Sequence, residues 1–411
     1  MKDSSKKFNW ETIILLWLAF FFNQADRQIF NVALPIVKLD LGLSDVQLGL
    51  ISSVFILAIG LFVPIAGYIG DKFSKKKVII LSVLIWSSAT FCTGFSGGFL
   101  ALIILRSTVG GSEAFYAPAA NALIGEKFQS NLGVAMAIHQ TALYAGIIGS
   151  GILGGYIAEH YGWRAAFFIF GGIGILLFAL MYFRLEDGKP REEKAISLSL
   201  ADGVKLLLQK KTTILLTGAF TCMVFVNVGY LTWTPTFLHE KFSVSVSEAG
   251  FSSMFYHHIF AFVGVMIAGK LSDKLASKKR IMRLKVQAWA LLLGAPFIIL
   301  MGVASSLIWV YVGLALFGLF RGMYDSNIYA SLFSVVDEKI RASVSAAMIM
   351  FAYIIGSLAP VILGFIKPFT GLTLGLSSLS VFYIIGSGLI FFACISSFNK
   401  DKISINNNNE L

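Results

Sequence analysis

Six formally charged side chains lie inside long apolar runs of this sequence: Asp26, Arg27, Arg106, Glu113, Arg321 and Asp325. A charge at the centre of a membrane helix costs about 2.5 to 3.5 kcal/mol on insertion scales, so each of the six needs a partner or a function. By type they can handle ions, because carboxylates take up and release protons and a guanidinium fork receives carboxylate or phosphate. The spacing limits how they can pair. Arg321 and Asp325 stand i, i+4 and can meet on one helix face. Arg106 and Glu113 share a face but sit about 10 Å apart along the axis, too far to neutralise each other directly. Asp26 and Arg27 are consecutive and point about 100° apart, so one can face the cavity while the other meets the fourth helix. The structural alternative is three ion pairs that hold helices together, and it is strongest for Arg321 and Asp325.

The elements that must position these residues are membrane helices. Of the 411 residues 57% are hydrophobic and 13% charged, and the mean hydropathy is +0.79, far from the soluble average. The apolar residues come in blocks near the ~20 residues that cross a ~30 Å hydrocarbon core as a helix. Twelve spans result: 10–37, 46–69, 78–95, 99–124, 134–157 and 165–183, then 212–238, 249–268, 286–304, 307–335, 344–366 and 374–398. Unbroken apolar runs exclude a β-barrel, whose strands would alternate over about ten residues.

A net charge of +11 raises nucleic acid as a partner, and the placement of the positive residues removes it. Of 33 Lys and Arg, three lie in spans (Arg27, Arg106, Arg321), four on one side (Lys38, Arg164, Lys241, Lys367) and the remaining 26 on the other. The positive-inside rule then puts both termini in the cytoplasm. The first span is too long and too polar at Asn23–Arg27 for a cleaved signal, and we expect it to be retained. Cys92, Cys222 and Cys394 all fall in apolar helix, so neither a disulfide framework nor a metal site is expected. No P-loop, nucleophile–base pair or metal-ligand spacing is present, and neither an enzyme nor a cofactor is expected.

The polar interval 184–211 divides the chain into an N-terminal six-helix bundle (1–184), a cytoplasmic linker (185–211) and a C-terminal six-helix bundle with a tail (212–411). The linker residues Ile196, Leu198, Leu200, Val204, Leu207 and Leu208 suit a short interfacial helix, or equally a solvated connection. The halves repeat after about two hundred residues. Ser44 followed by Gln47 opens the second span and Ser245 followed by Glu248 the eighth, each in capping-box spacing. After those spans come Gly67-Tyr-Ile-Gly-Asp71-Lys72-Phe-Ser74-Lys-Lys-Lys77 and Gly269-Lys-Leu-Ser-Asp273-Lys274-Leu-Ala276-Ser-Lys-Lys-Arg280. Both resemble the loop signature of the major facilitator superfamily, departing from it where Ser74 and Ala276 replace the second glycine. The resemblance implies an all-α membrane protein of twelve helices in two pseudo-symmetric bundles. It also implies a gating role for Asp71 and Lys72, and for Asp273 and Lys274, with the carboxylate meeting a facing helix N-terminus.

A narrower resemblance is carried by Asn23-Gln24-Ala25-Asp26-Arg27, by the run from Arg106 through Gly110, Gly111 and Ser112 to Glu113-Ala114, and by Trp233-Thr-Pro-Thr-Phe-Leu238. These are similar to the anion:cation symporters of hexuronate, galactonate and sialic acid. The likeness implies proton sites at Asp26 and Glu113 and receipt of the substrate carboxylate by Arg27 and Arg106. Protonating the acids would leave the arginines with unbalanced charge that favours an anion, and losing the anion would favour proton release, which is symport by linkage. Spinster-type lipid transporters share the helix-1 Asp-Arg and helix-4 Gly-Glu-Ala features, so the motifs leave the solute open. The helix-5 pattern of drug antiporters is degraded around Ser150 and Gly151.

Further solute contacts are expected from Asn23, Gln140, Trp233, Tyr256, His257, Tyr324 and Asn327, although Tyr and Trp also serve as packing or interfacial anchors. Together these readings describe a proton-coupled symporter of a small organic anion, a sugar acid first. It is expected to be a monomer in a bacterial inner membrane, working by rocking of its halves. The alternatives are a Spinster-like carrier of a lysolipid or a sugar facilitator. A membrane sensor ranks last, since it would need a soluble output domain.

Overall fold

A computed structural model describes residues 9–188 and 200–403, except the side chains of Tyr68 and Asp71. The chain is all-helical. Its helices are α1 (Trp10–Leu41), α2 (Asp45–Lys72), α3 (Lys75–Thr93), α4 (Phe99–Glu113), α5 (Tyr116–Lys127), α6 (Leu132–Gly149), α7 (Gly155–Tyr161) and α8 (Trp163–Arg184), then α9 (Leu200–Gln209), α10 (Lys211–Phe242), α11 (Val246–Ala276), α12 (Met282–Val303), α13 (Leu307–Asp325), α14 (Ile328–Phe333), α15 (Arg341–Gly356), α16 (Leu358–Ser378), α17 (Ser380–Ser396) and α18 (Phe398–Asp401). Residues Ser150–Gly154 form a π-turn that joins α6 to α7.

Among the described residues nine stretches are long and apolar enough to cross a membrane. Three features separate this number from the twelve read in the sequence. The Asn23–Arg27 segment makes the middle of α1 too polar to qualify. The fourth span is broken, leaving α4 only 15 residues long. Residues 338–396 run through α15, α16 and α17 as one stretch, turned at Gly371, whose φ of 68° suits a residue with no Cβ.

The fifth span (134–157) passes through the π-turn, the eleventh (344–366) divides between α15 and α16 and the twelfth (374–398) between α16 and α17; two more break after an acidic residue. The fourth span, read as continuous over 99–124, stops at Glu113 and restarts at Tyr116 because Pro118 has no N–H to give the carbonyl of Ala114. The tenth, read as continuous over 307–335, stops at Asp325 and restarts at Ile328. There the Asn327 side chain donates to Ser272 at 2.8 Å and to Ser326 at 2.9 Å, which favours a turn. In both spans an acidic residue is the last before the break.

The chain divides into two compact units. Among the described residues the first holds 9–188 with 231–255 and 360–368, and the second holds 200–230, 256–359 and 369–403. In the first, α2 begins with the full Ser44–Gln47 capping box, and Ser245 likewise accepts from the N–H of Glu248 at 3.0 Å. Small residues bring helices together in each unit in matching ways, as they do in bilayers. A Cβ on Gly110 of α4 would stand 2.3 Å from the carbonyl oxygen of Phe55 in α2, and one on Gly318 of α13 would stand 2.0 Å from that of His257 in α11. Likewise Gly171 of α8 meets Phe91 of α3, and Gly386 of α17 meets Leu291 of α12. The repeat read from the loop motifs is thus also a repeat of packing.

Of the expected linker helix, Ile196 and Leu198 lie outside the described residues, and Leu200–Gln209 form a helix in the second unit. It buries Gly203 and Leu207 but exposes Leu200 and Leu208.

Candidate functional site

Four of the six intramembrane charges meet in the first unit. Arg27 donates from Nε to Glu113 Oε2 at 2.6 Å; the Glu113 side chain is fully buried and that of Arg27 is 20% exposed. The one-residue offset sends Asp26 another way, so that its Oδ2 accepts from the Thr90 hydroxyl of α3 at 3.3 Å. Its Oδ1 is buried without a hydrogen-bond partner, and so is Glu113 Oε1. Arg106 does not bond either carboxylate. Its two terminal nitrogens reach the backbone carbonyls of Asp26 at 3.1 Å and Arg27 at 3.4 Å. Its guanidinium lies 4.2 Å from the ring centroid of Phe55 and 5.3 Å from that of Phe30, within cation–π range. The close approach of α4 to α2 at Gly110 places Phe55 there.

This arrangement is formally neutral, two arginines with two carboxylates, but incompletely hydrogen-bonded. One arginine is paired, the other rests on carbonyl dipoles and rings, and two carboxylate oxygens have no partner. An anion could take the place of Glu113 on Arg27 if the carboxyl were protonated. Asn23 sits buried one turn earlier and accepts from the Gln24 amide at 2.9 Å, while its own amide nitrogen finds no partner. Gln140 is exposed on α6. Tyr116, just past the break in α4, donates to the carbonyl of Leu16 at 2.5 Å and meets His139 Nε2 at 3.2 Å, and so ties the start of α5 to α1.

The other candidates fall elsewhere. Trp233 is fully buried in the first unit and donates from Nε1 to the carbonyl of Pro360 at 2.9 Å. In the second unit Tyr256 stacks on Tyr311 at 4.5 Å, and His257 is buried between Tyr230 and Phe317 with neither ring nitrogen hydrogen-bonded. Tyr324 is buried, and Asn327 is occupied by the serines that shape its turn. Arg321 and Asp325 meet as an i, i+4 pair at 3.3 Å.

At the gating motifs, Lys72 and Lys274 are exposed and Asp71 has no described side chain. Asp273 is engaged by Arg283 of α12 at 2.6 Å. Ser74, which stands where the family pattern has glycine, caps α3 by accepting from Lys77 N–H at 3.2 Å and donates to Asp187. Burial alone would raise the Asp187 carboxyl. The Ser74 hydroxyl, the N–H groups of Lys76 and Gly188 and the nearby Lys75 charge outweigh it and hold the group below the usual carboxylate range.

Sequence reasoning missed Thr90, Phe30, Phe55 and Asn227, which bonds Arg321. It also missed an ionic cluster in the first unit where α1 ends. Asp45 accepts there from Lys38 at 2.8 Å and from Lys367 at 2.9 Å, and Lys367 also reaches Glu240 at 2.7 Å. Only Asn227, a lone amide in an apolar span, carried a signal in the sequence.

The sequence pattern of the Major Facilitator Superfamily matches residues 16–360. The hexuronate transporter of Bacillus subtilis is 26% identical over 398 residues, covering 93% of this chain and 92% of its own. Protein spinster homolog 1 of Xenopus laevis is 28% identical over 239 residues, 55% of this chain and 45% of its own. A crystal structure of a bacterial homolog of the human lysosomal transporter Spinster, inward-facing and unoccupied, superposes with a TM-score of 0.84 at 21% identity, over 97% of this chain and 99% of that one.

Proposed function

This chain belongs to the Major Facilitator Superfamily of secondary transporters, and from that premise we propose that it couples protons to the movement of a small organic anion through Asp26, Arg27, Arg106 and Glu113. It is a multi-pass membrane transporter of small solutes and not an enzyme. The observation that carries the proposal is the buried Arg27–Glu113 bond beside an arginine whose hydrogen bonds go to backbone carbonyls and not to a carboxylate. A proton on Glu113 frees Arg27 for the anionic group of a solute, and departure of the solute restores the pair and returns the proton. Each ligand thus raises the affinity for the other. We assign twelve crossings, counting α1, the α4–α5 pair and two crossings within 338–396 beside the other eight stretches. Both termini are placed in the cytoplasm by the charge asymmetry.

Two classes of anion fit this site. An amphipathic anion such as a lysolipid has the wider support, from the Spinster relatives, from the closeness of fold, and from the aromatic rings that flank Arg106. A sugar acid is favoured by the hexuronate transporter, whose likeness runs nearly end to end, and by the buried polar chain Gln28, Asn31 and Ser52 on α1 and α2.

The test is transport in proteoliposomes with glucuronate, galactonate, sialic acid, glucose and a lysophospholipid. Wild type should accumulate one anion when a proton gradient is imposed, while Glu113→Gln and Asp26→Asn lose accumulation and can retain exchange. Undiminished accumulation by both variants would overturn the coupling assignment. The class of solute that moves chooses between the two readings.

A further inference from the structure

The second unit contains a charged group that the first cluster does not need. Arg321 of α13 bonds Asn227 of α10 and stands with Nε 3.3 Å from Oδ2 of Asp325. The other oxygen of Asp325 is buried with no hydrogen-bond partner. The two side chains keep 16% and 29% of their surface exposed, so the pair is reachable. His257 of α11 feels the charge of Arg321 from a fully buried position in which neither ring nitrogen has a hydrogen bond. Phenols complete the surroundings. Tyr324 precedes Asp325 on α13, while Tyr329 of α14 and Tyr383 of α17 lie within reach of its charge and Tyr230 of α10 within reach of that of Arg321.

A pair kept for stability would be expected to close into a fork and satisfy its oxygens, since a half-satisfied buried network is worse than an apolar one. This pair leaves an Asp325 oxygen buried and unsatisfied. Its local construction also repeats that of Glu113, because Asp325 is the last residue of its helix before a break and contacts an arginine, as Glu113 does.

We propose that Arg321 and Asn227 form an anion-binding site in the second unit, for a carboxylate or phosphate group, in which Asp325 is the resident counter-ion that an incoming anion displaces. The guanidinium supplies the charge and the fork, the Asn227 amide orients it, and the tyrosine hydroxyls offer donors to the remaining oxygens of the ligand. Displacement is easiest when Asp325 takes a proton from solution, which it returns when the anion leaves. The inference rests on the reading of the chain as a carrier of organic anions and adds a second anion-handling position to it.

The experiment is ligand-dependent thermal stabilisation of the purified protein, titrated with D-glucuronate, D-glucarate and lysophosphatidylglycerol from pH 5.5 to 8. Removing a receptor and removing a competitor have opposite signs. Arg321→Gln should weaken the half-saturating concentration by about tenfold to a hundredfold, the loss of a charge-assisted hydrogen bond. Asp325→Asn should tighten it about threefold or more and reduce the improvement that wild type shows toward low pH, leaving the part that belongs to Glu113. Arg321→Lys, which keeps the charge without the fork, should fall between wild type and Arg321→Gln and guards against a misfolded variant. The proposal is overturned if Arg321→Gln and Asp325→Asn shift binding in the same direction, or if Asp325→Asn shows the full pH dependence of wild type. If none of the three probes stabilises wild type, it is the organic-anion reading that fails. If they stabilise wild type and Arg321→Gln alike, only this site fails.

Discussion

Arg27→Gln should destabilise the protein far more than Glu113→Gln, although the two changes break the same 2.6 Å bond. The asymmetry comes from burial. Removing one partner of a buried pair costs about 3 to 5 kcal/mol, because a charge is left behind without compensation. With Arg27 gone, the stranded group is a carboxylate with no exposed surface and one oxygen already unpartnered. With Glu113 gone, the stranded group is a guanidinium that keeps 20% of its surface exposed, and the carbonyl of the new glutamine still accepts from it. We therefore expect about 3 to 5 kcal/mol for Arg27→Gln and roughly 1 to 2 kcal/mol for Glu113→Gln. The double variant should lie within about 1 kcal/mol of Glu113→Gln, so the coupling is about as large as the Arg27→Gln cost itself, at or above the top of the range that contacting residues show. Equilibrium unfolding in mixed micelles, with intrinsic fluorescence as the probe, measures all three. Equal costs for the two single changes, or a double variant equal to their sum, would refute the claim that Glu113 is the charge that depends on Arg27.

Two further expectations follow from packing and from the cytoplasmic loops. Gly110→Ala would place a methyl group 2.3 Å from the Phe55 carbonyl oxygen and should cost about 1 to 3 kcal/mol, whereas Gly67→Ala meets nothing within 4 Å and should be neutral or slightly stabilising; unfolding midpoints of the two variants compare them. Asp187, held below its ordinary range, contributes stability that is fully present above the unfolded value near pH ~3.9 and disappears as pH falls through the lower folded value. The gap in unfolding midpoint between wild type and Asp187→Asn should accordingly be open at neutral pH and close only on the acid side, and a gap independent of pH would argue against the Ser74 and Lys76 bonds as its source.

The sequence by itself determined the membrane class, the helical fold and the family, because these depend on composition, on apolar length and on local motifs that a chain displays without folding. The Ser44 capping box is such a feature, its two bonds joining residues three apart, and so is the i, i+4 contact of Arg321 with Asp325. The expectation that Asp26 and Arg27 diverge also needed only the helical turn, and the structure gives them different partners on α3 and α4. What no local rule could supply was the identity of those partners. Arg27 and Glu113 are 86 positions apart, and Asp45 and Lys367 are separated by 322. The support of Arg106 on two backbone carbonyls and two phenylalanine rings, instead of on either acid, was equally hidden, because carbonyls and rings occur throughout the chain and only packing selects among them. The breaks after Glu113 and Asp325 lie between these extremes. Pro118 announced the first in the sequence, whereas the second depends on Asn327 finding Ser272 from another helix, a contact made only when α11 and α13 have packed at Gly318 and Gly322.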